Sequence, residues 1–156
     1  MEIRPARPED CGRLLELVRA LAEYEKLAHL ATGTLEQLRE ELFGATPVIE
    51  AVIAWDGARA AGFALYFHNF STFLARRGLY LEDLFVVPEA RGRGIGRALM
   101  KHCARLAVER GCGRFEWAVL DWNRPAIEFY EAIGAQVLPD WQICRMTGEA
   151  LARFAK

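Results

Sequence analysis

The sequence predicts a mixed α/β domain, a central and mostly antiparallel sheet flanked by helices (an α+β arrangement). Three observations predict it. Two apolar runs meet at an Asp-Gly turn, a third runs into an Arg- and Gly-rich turn that opens a helix, and helical periodicity recurs before and after these strands. The 156 residues are 53% hydrophobic, which suits a single domain over 1–156 with a core that needs neither disulfide nor metal.

Each element follows in order. Glu2 to Arg4 reads as a short strand. Pro8 fits a first helical turn, where its missing N–H costs little, and Leu14, Leu17, Val18 and Leu21 then recur at helical spacing as far as Glu25. Thr34 and Gln37 form a capping box for a helix that closes near Leu42, before Gly44. Ile49 to Trp55, Asp56-Gly57 and Ala60 to Phe67 make a hairpin. His68 to Gly78 reads as a loop, Leu79 to Val87 as a strand ending at Pro88, and Ile95, Leu99, Cys103, Leu106 and Ala107 as the buried stripe of a helix reaching Arg110. Phe115 to Leu120 is the next strand. Asn123 is an N-cap, Pro125 fits the first turn, and Gly134 is a C′ residue closing that helix. Short strands are predicted near Gln136 to Leu138 and Gln142 to Met146, and Thr147 caps a final helical turn.

Composition removes several classes of function. A net charge of −1 lacks the basic excess of a general nucleic-acid binder. No apolar run approaches the ~20 residues that span a bilayer, and Met1 to Pro5 has no secretory h-region, so a cytoplasmic protein without a membrane partner is expected. Cys11, Cys103, Cys112 and Cys144 form no Cys-x-x-Cys pair, and His29, His68 and His102 are not at zinc-ligand spacing; four reduced thiols and no metal are expected.

The most informative stretch is Val86-Val87-Pro88-Glu89-Ala90-Arg91-Gly92-Arg93-Gly94-Ile95-Gly96-Arg97. A strand that feeds a glycine-rich turn and then a helix presents unpaired N–H groups and a partial positive charge, a ready site for phosphate. Arg91, Arg93 and Arg97 add charge. The segment lacks the Lys-[Ser/Thr] of a Walker A loop, and neither Gly92 nor Gly94 starts a Gly-x-Gly-x-x-Gly fingerprint. It does fit Arg-x-x-Gly-x-Gly, at Arg91, Gly94 and Gly96.

That pattern resembles the cofactor motif of GNAT (Gcn5-related) N-acetyltransferases. Tyr80 to Val86, Trp122 to Tyr130 with Gly134-Ala135, Ile3 to Ala6 and Leu21 to Glu25 extend the resemblance over nearly the whole chain, to the spermidine/spermine branch. Ala118 to Asn123 is closer to the thialysine-acetylating members. The resemblance implies acetyl-CoA as co-substrate, with its diphosphate on Arg91, Gly92, Arg93, Gly94, Ile95, Gly96 and Arg97. The pantetheine arm would lie where the strands of Glu82–Val87 and Phe115–Leu120 splay, near Leu84, Phe85 and Val86. Asn123, Arg124, Pro125 and Ala126 would touch the cofactor from the next helix. It also implies a homodimer that involves the C-terminal strands.

Acetyl transfer needs a neutral amine, and a free alkyl amine with pKa near ~10.4 is neutral in about one molecule in 2500 at pH 7. A carboxylate can take the proton, often through a water. Glu82 is the candidate base. By resemblance Glu82 and Asp83 also hold the amine's charge, and Tyr24 and Glu25 form a second anchor; Trp117 and Trp141 are candidate pocket aromatics, with a core or dimer role as the alternative. Strand alternation puts Glu82 and Asp83 on opposite faces. Tyr130 is protonated at pH 7 and is the candidate acid for the departing sulfur. The reaction expected is acetylation of a primary amine on a small molecule, a diamine, polyamine or thialysine-like compound. The alternatives are a CoA-binding module without catalysis and a peptide or protein N-acetyltransferase; an aromatic loop at 68–78 closing over a small acceptor argues against an open peptide groove.

Overall fold

A computed structural model describes all residues, 1–156. The chain forms two compact units, Met1–Ala118 and Val119–Lys156. The first holds a five-stranded sheet in the order β1 (Glu2–Pro5), β2 (Glu50–Asp56), β3 (Arg59–Ser71), β4 (Arg76–Val86), β5 (Phe115–Trp117). The first four strands pair antiparallel and β5 joins β4 in parallel. Helix α1 (Cys11–Tyr24) follows a 3-10 turn at Pro8–Asp10, and α2 (Leu35–Phe43) and α3 (Ile95–Glu109) complete the unit. No helix is long and apolar enough to cross a membrane.

Each face of the sheet has its own cover. Cys11, Leu14, Leu17 and Leu21 of α1 join Ile53, Phe63, Leu65 and Phe85 in one buried cluster. The alternate strand positions face α3: Tyr66 lies beside Cys103, and a Cβ on Gly96 would sit 3.8 Å from Val86 Cγ2 and 4.0 Å from Leu84 Cδ2. Ile95, Leu99, Met100, Cys103 and Ala107 are the buried positions of α3, close to the predicted stripe; Met100 replaces the half-buried Leu106.

Local sequence signals hold where they are self-contained. Thr34 N–H donates to Gln37 Oε1 (2.9 Å) and Gln37 N–H to Thr34 Oγ1 (3.2 Å), a closed capping box. Gly57 turns the β2–β3 hairpin with φ +62°.

Four expectations need correction. The 68–78 segment is mostly hairpin: His68 to Ser71 pair with Leu79 to Arg76, and only residues 72–75 turn, with Ala75 in the left-handed region at φ +47°. Residues 68–78 therefore supply no long loop to close over a small acceptor. The predicted strand at Phe115–Leu120 ends at Trp117, because the ladder with β4 stops at Leu81↔Trp117. The strands expected at 136–138 and 142–146 do not form. Strand propensity needs a neighbour to pair with, and no strand of this chain pairs there; Trp141 and Ile143 are 79% and 74% exposed. Finally, the α-helix predicted from Pro8 begins at Cys11, the proline being used in the 3-10 turn before it.

The second unit contains α4 (Arg124–Ala132) and α5 (Gly148–Phe154), the latter with Thr147 at its N-cap position. Asn123 Oδ1 accepts from Ala126 N–H (3.4 Å), and Pro125 occupies the first turn. At the other end Gly134 N–H reaches Glu131 O and Ala135 N–H reaches Tyr130 O, both at 3.0 Å, with Gly134 at φ +93°. This is a Schellman closure, and the helix is capped at both ends as the sequence predicts.

Candidate active site

Strand β4 leads into a 3-10 turn at Pro88–Ala90 and then a turn in which Gly92 (φ +75°) and Gly94 (φ +78°) take conformations that side chains disfavour. Gly94 is the N-cap of α3 and offers no side-chain cap. The first amide bonded back into the helix is Ala98 N–H, to Gly94 O (3.0 Å). The N–H groups from Gly92 to Arg97 find no backbone acceptor, which leaves a run of unpaired donors at the positive end of a helix. Gly96 is different: its φ is ordinary and a Cβ would meet nothing closer than 3.8 Å. A helical glycine costs roughly 1 kcal/mol against alanine, so internal packing gives no reason for it.

The three arginines divide. Arg93 pairs with Asp56 of the β2–β3 turn (2.6 Å), Arg91 Nε donates to Val86 O (3.1 Å), and Arg97 is exposed on the first turn of α3. The Arg93–Asp56 pair joins residues 37 apart and carries no signal in the local sequence.

The register of β4 brings the acidic residues together. Leu65 pairs with Asp83 and Tyr66 with Leu81, so Glu82 is an extra residue, a bulge. Upstream, Leu79 and Leu81 pair with His68 and Tyr66 and face α3. Downstream, Asp83 and Phe85 pair with Leu65 and Phe63 on the α1 face. One inserted residue thus moves Asp83 to the side where α1 ends at Tyr24 and Glu25. The bulge puts Leu81 and Asp83, two residues apart, on opposite faces, where an unbroken strand would put them on the same one. Glu82 is exposed at it. Half-buried Asp83 has its carboxyl pushed up to about 6, by burial first and then by the charges of Glu82 and Glu25. Burial also raises Glu25. Glu25, Glu82 and Asp83 therefore form one electrostatic group, suited to a cation.

Beyond Leu81 strand β4 keeps only β3 as a strand partner, so Glu82 to Val86 run on without β5 beside them. Leu84 and Val86 are half-buried and Phe85 is in the core. Trp117, the last residue of β5, is half-buried against Phe115, with ring centroids 4.9 Å apart. In the second unit Tyr130 is half-buried in the last turn of α4, its ring 5.4 Å from that of Phe129. Two cavities of about 590 and 540 Å³ lie at the β2–β3 turn beside α1 and at the β3–β4 hairpin; no predicted site residue lines either.

A strand–helix junction with unpaired amides follows a bulged strand that carries two adjacent acids, an arrangement able to take an anion at the helix and a cation at the strand. Comparison with known proteins makes this particular. Residues 14–135 match the model of the acetyltransferase (GNAT) family. The chain is 41% identical to a thialysine N-epsilon-acetyltransferase of Bos taurus, over 98% of this chain and 96% of that one. It is 32% identical to an L-ornithine N5-acetyltransferase of Arabidopsis thaliana, over 99% and 87%. Among solved structures, an integron cassette protein from the mobile metagenome of V. cholerae superposes with a TM-score of 0.84 at 30% identity, covering 99% of this chain and 97% of that one. The chain belongs to the GNAT acetyltransferase family and is an enzyme of that kind.

Proposed function

We propose that this enzyme moves the acetyl group of acetyl-CoA to a primary amine of a small molecule, an amino acid of the thialysine or ornithine type or a diamine. The observation that carries the reading is the run of open amides from Gly92 to Arg97 at the start of α3, a cradle for the cofactor's diphosphate. Leu84, Phe85 and Val86 offer a strand without a β5 neighbour to the pantetheine arm, and Asn123 to Ala126 border the cofactor by family resemblance. Acetyl-CoA supplies the activated thioester; the chain orients it and manages protons. Glu25, Glu82 and Asp83 attract the ammonium group, with Tyr24 and Trp117 beside the pocket. Glu82, exposed at the bulge, takes the amine's proton through water, and Tyr130 gives a proton to the departing sulfur. The small-amine reading draws support from the two relatives named above, whose acceptors are amino acids.

A homodimer fits the same resemblance, and the exposed Leu138, Trp141 and Ile143 are apolar surface that a second copy would cover. Four free thiols, two of them buried, suit the reducing cytoplasm.

The test is a thiol-release assay with acetyl-CoA across thialysine, ornithine, diamines, polyamines and peptides. Turnover on small amines and not on peptides is expected; the reverse selectivity would make this a peptide acetyltransferase, and CoA binding without turnover a binding module. Tyr130→Phe should lower kcat by about 100-fold at saturating substrates, an acid–base effect. An unchanged kcat would remove Tyr130 from the chemistry.

A further inference from the structure

Arg91 heads the cofactor motif, yet its side chain is engaged elsewhere. Its Nε donates to Val86 O (3.1 Å), and its guanidinium carbon lies 4.6 Å from the ring centroid of Tyr24 and 5.7 Å from that of Phe85. The two rings are 6.5 Å apart at 51°. One cation therefore ties together the last residue of α1, the strand β4 and the entrance to the amide turn.

The position of these contacts gives them a consequence. The buried stripe of α1 ends at Leu21, and its last turn adds no fully buried residue; Tyr24 is 37% exposed. Glu25 follows as the C-cap, and the chain then leaves through Lys26 at φ +62°. Glu25 lies within electrostatic reach of Asp83, and when both are ionised their repulsion works against packing the end of α1 on the strand. A cation stacked on Tyr24 opposes that repulsion, and it also suits the negative end of the helix.

We propose that Arg91 is a positioning residue for the acceptor site: stacked on Tyr24 and bound to Val86 O, it clamps the end of α1 onto β4 and holds Glu25 beside Asp83. The diphosphate is held by the amides that follow, and the Arg91 side chain contributes little to it. The clamp rests on the reading of Glu25, Glu82 and Asp83 as anchors for a cationic amine. It makes the first residue of the cofactor motif a determinant of acceptor affinity.

The experiment is Arg91→Met and Tyr24→Leu, singly and together, with CoA affinity from calorimetry and the amine's KM from assays at saturating acetyl-CoA. Arg91→Met should raise the amine KM by about 5-fold, the strength of one exposed cation–π contact, while the CoA Kd moves less than about 2-fold. In the Tyr24→Leu background Arg91→Met should add nothing further, and Arg91→Lys should recover part of the loss. A CoA Kd weakened about 10-fold with an unchanged amine KM would make Arg91 a phosphate ligand and overturn the clamp. Effects that multiply in the double variant would overturn it as well. If the wild-type enzyme turns over no amine, the acceptor reading fails, and the same cycle is read on thermal unfolding. Non-additive shifts in Tm there support the clamp, and additive shifts refute it.

Discussion

Helices α3 and α4 both begin just after a strand or turn, and they begin in opposite ways. At α4 the Asn123 side chain accepts from Ala126, Pro125 has no N–H to satisfy, and a Schellman closure at Gly134 finishes the other end. At α3 a left-handed glycine holds the cap position, no side chain caps it, and the amides from Gly92 to Arg97 stay open. The strand that feeds α3 carries the same kind of unsettled cost, a bulge at Glu82 and a carboxyl at Asp83 that its surroundings disfavour. Helix α4 is closed at both ends, and α3 leaves its first amides unpaired.

The sharpest way to break this contrast is Gly96→Glu. A Cβ has room there, glutamate is a better helix former than glycine, and a carboxylate suits a helix N-terminus, so stability should hold or rise by about 1 kcal/mol. The same carboxylate competes with the diphosphate for the open amides, so CoA affinity should fall by more than about 100-fold. Calorimetry and thermal unfolding on one sample check both signs. A variant that still binds CoA normally would show that the open amides serve no ligand.

Asp83 gives a smaller effect, read in pH. Its carboxyl shifts from the ordinary 3.8 to about 6 in the folded chain. Between roughly pH 4 and 6 the folded state keeps a proton that the unfolded state has released, so stability falls as pH rises through that window and the loss is complete above it. Asp83→Asn should flatten this fall and gain about 1–3 kcal/mol at pH 7 in denaturant unfolding, while weakening the amine's binding. A wild-type stability that rises from pH 4 to 6 with no change in this slope on substitution would contradict the buried acid.

At α4 the expected effect is smaller again and of the opposite kind. Asn123→Ala removes a cap and should cost about 1 kcal/mol in unfolding experiments, with CoA affinity changed less than about 3-fold. A large loss of CoA affinity at unchanged stability would make Asn123 a ligand first and a cap second.

This contrast also explains how far the sequence could be read. Thr34 with Gln37, Asn123, Gly134 and Asp56-Gly57 were legible because each device is completed within a few residues. The glycine turn was legible for the same reason. The bulge at Glu82 was not, since it is defined by register against β3, and Ala75 in a left-handed turn bears no residue signature. The strands expected near Gln136 and Gln142 had the composition without a partner. The pairings of Arg93 with Asp56 and of Arg91 with Tyr24 join residues far apart in the chain, so only the folded structure brings them together.

On the proposed function, the diphosphate docked on the unpaired N–H groups between Gly92 and Arg97 supplies most of the cofactor's binding. Calorimetric titration of the wild-type enzyme with CoA and, separately, with pantetheine tests it most directly. CoA should bind, and pantetheine, which lacks the diphosphate, should bind about 100-fold more weakly or not at all. Equal affinity for the two ligands would contradict the account.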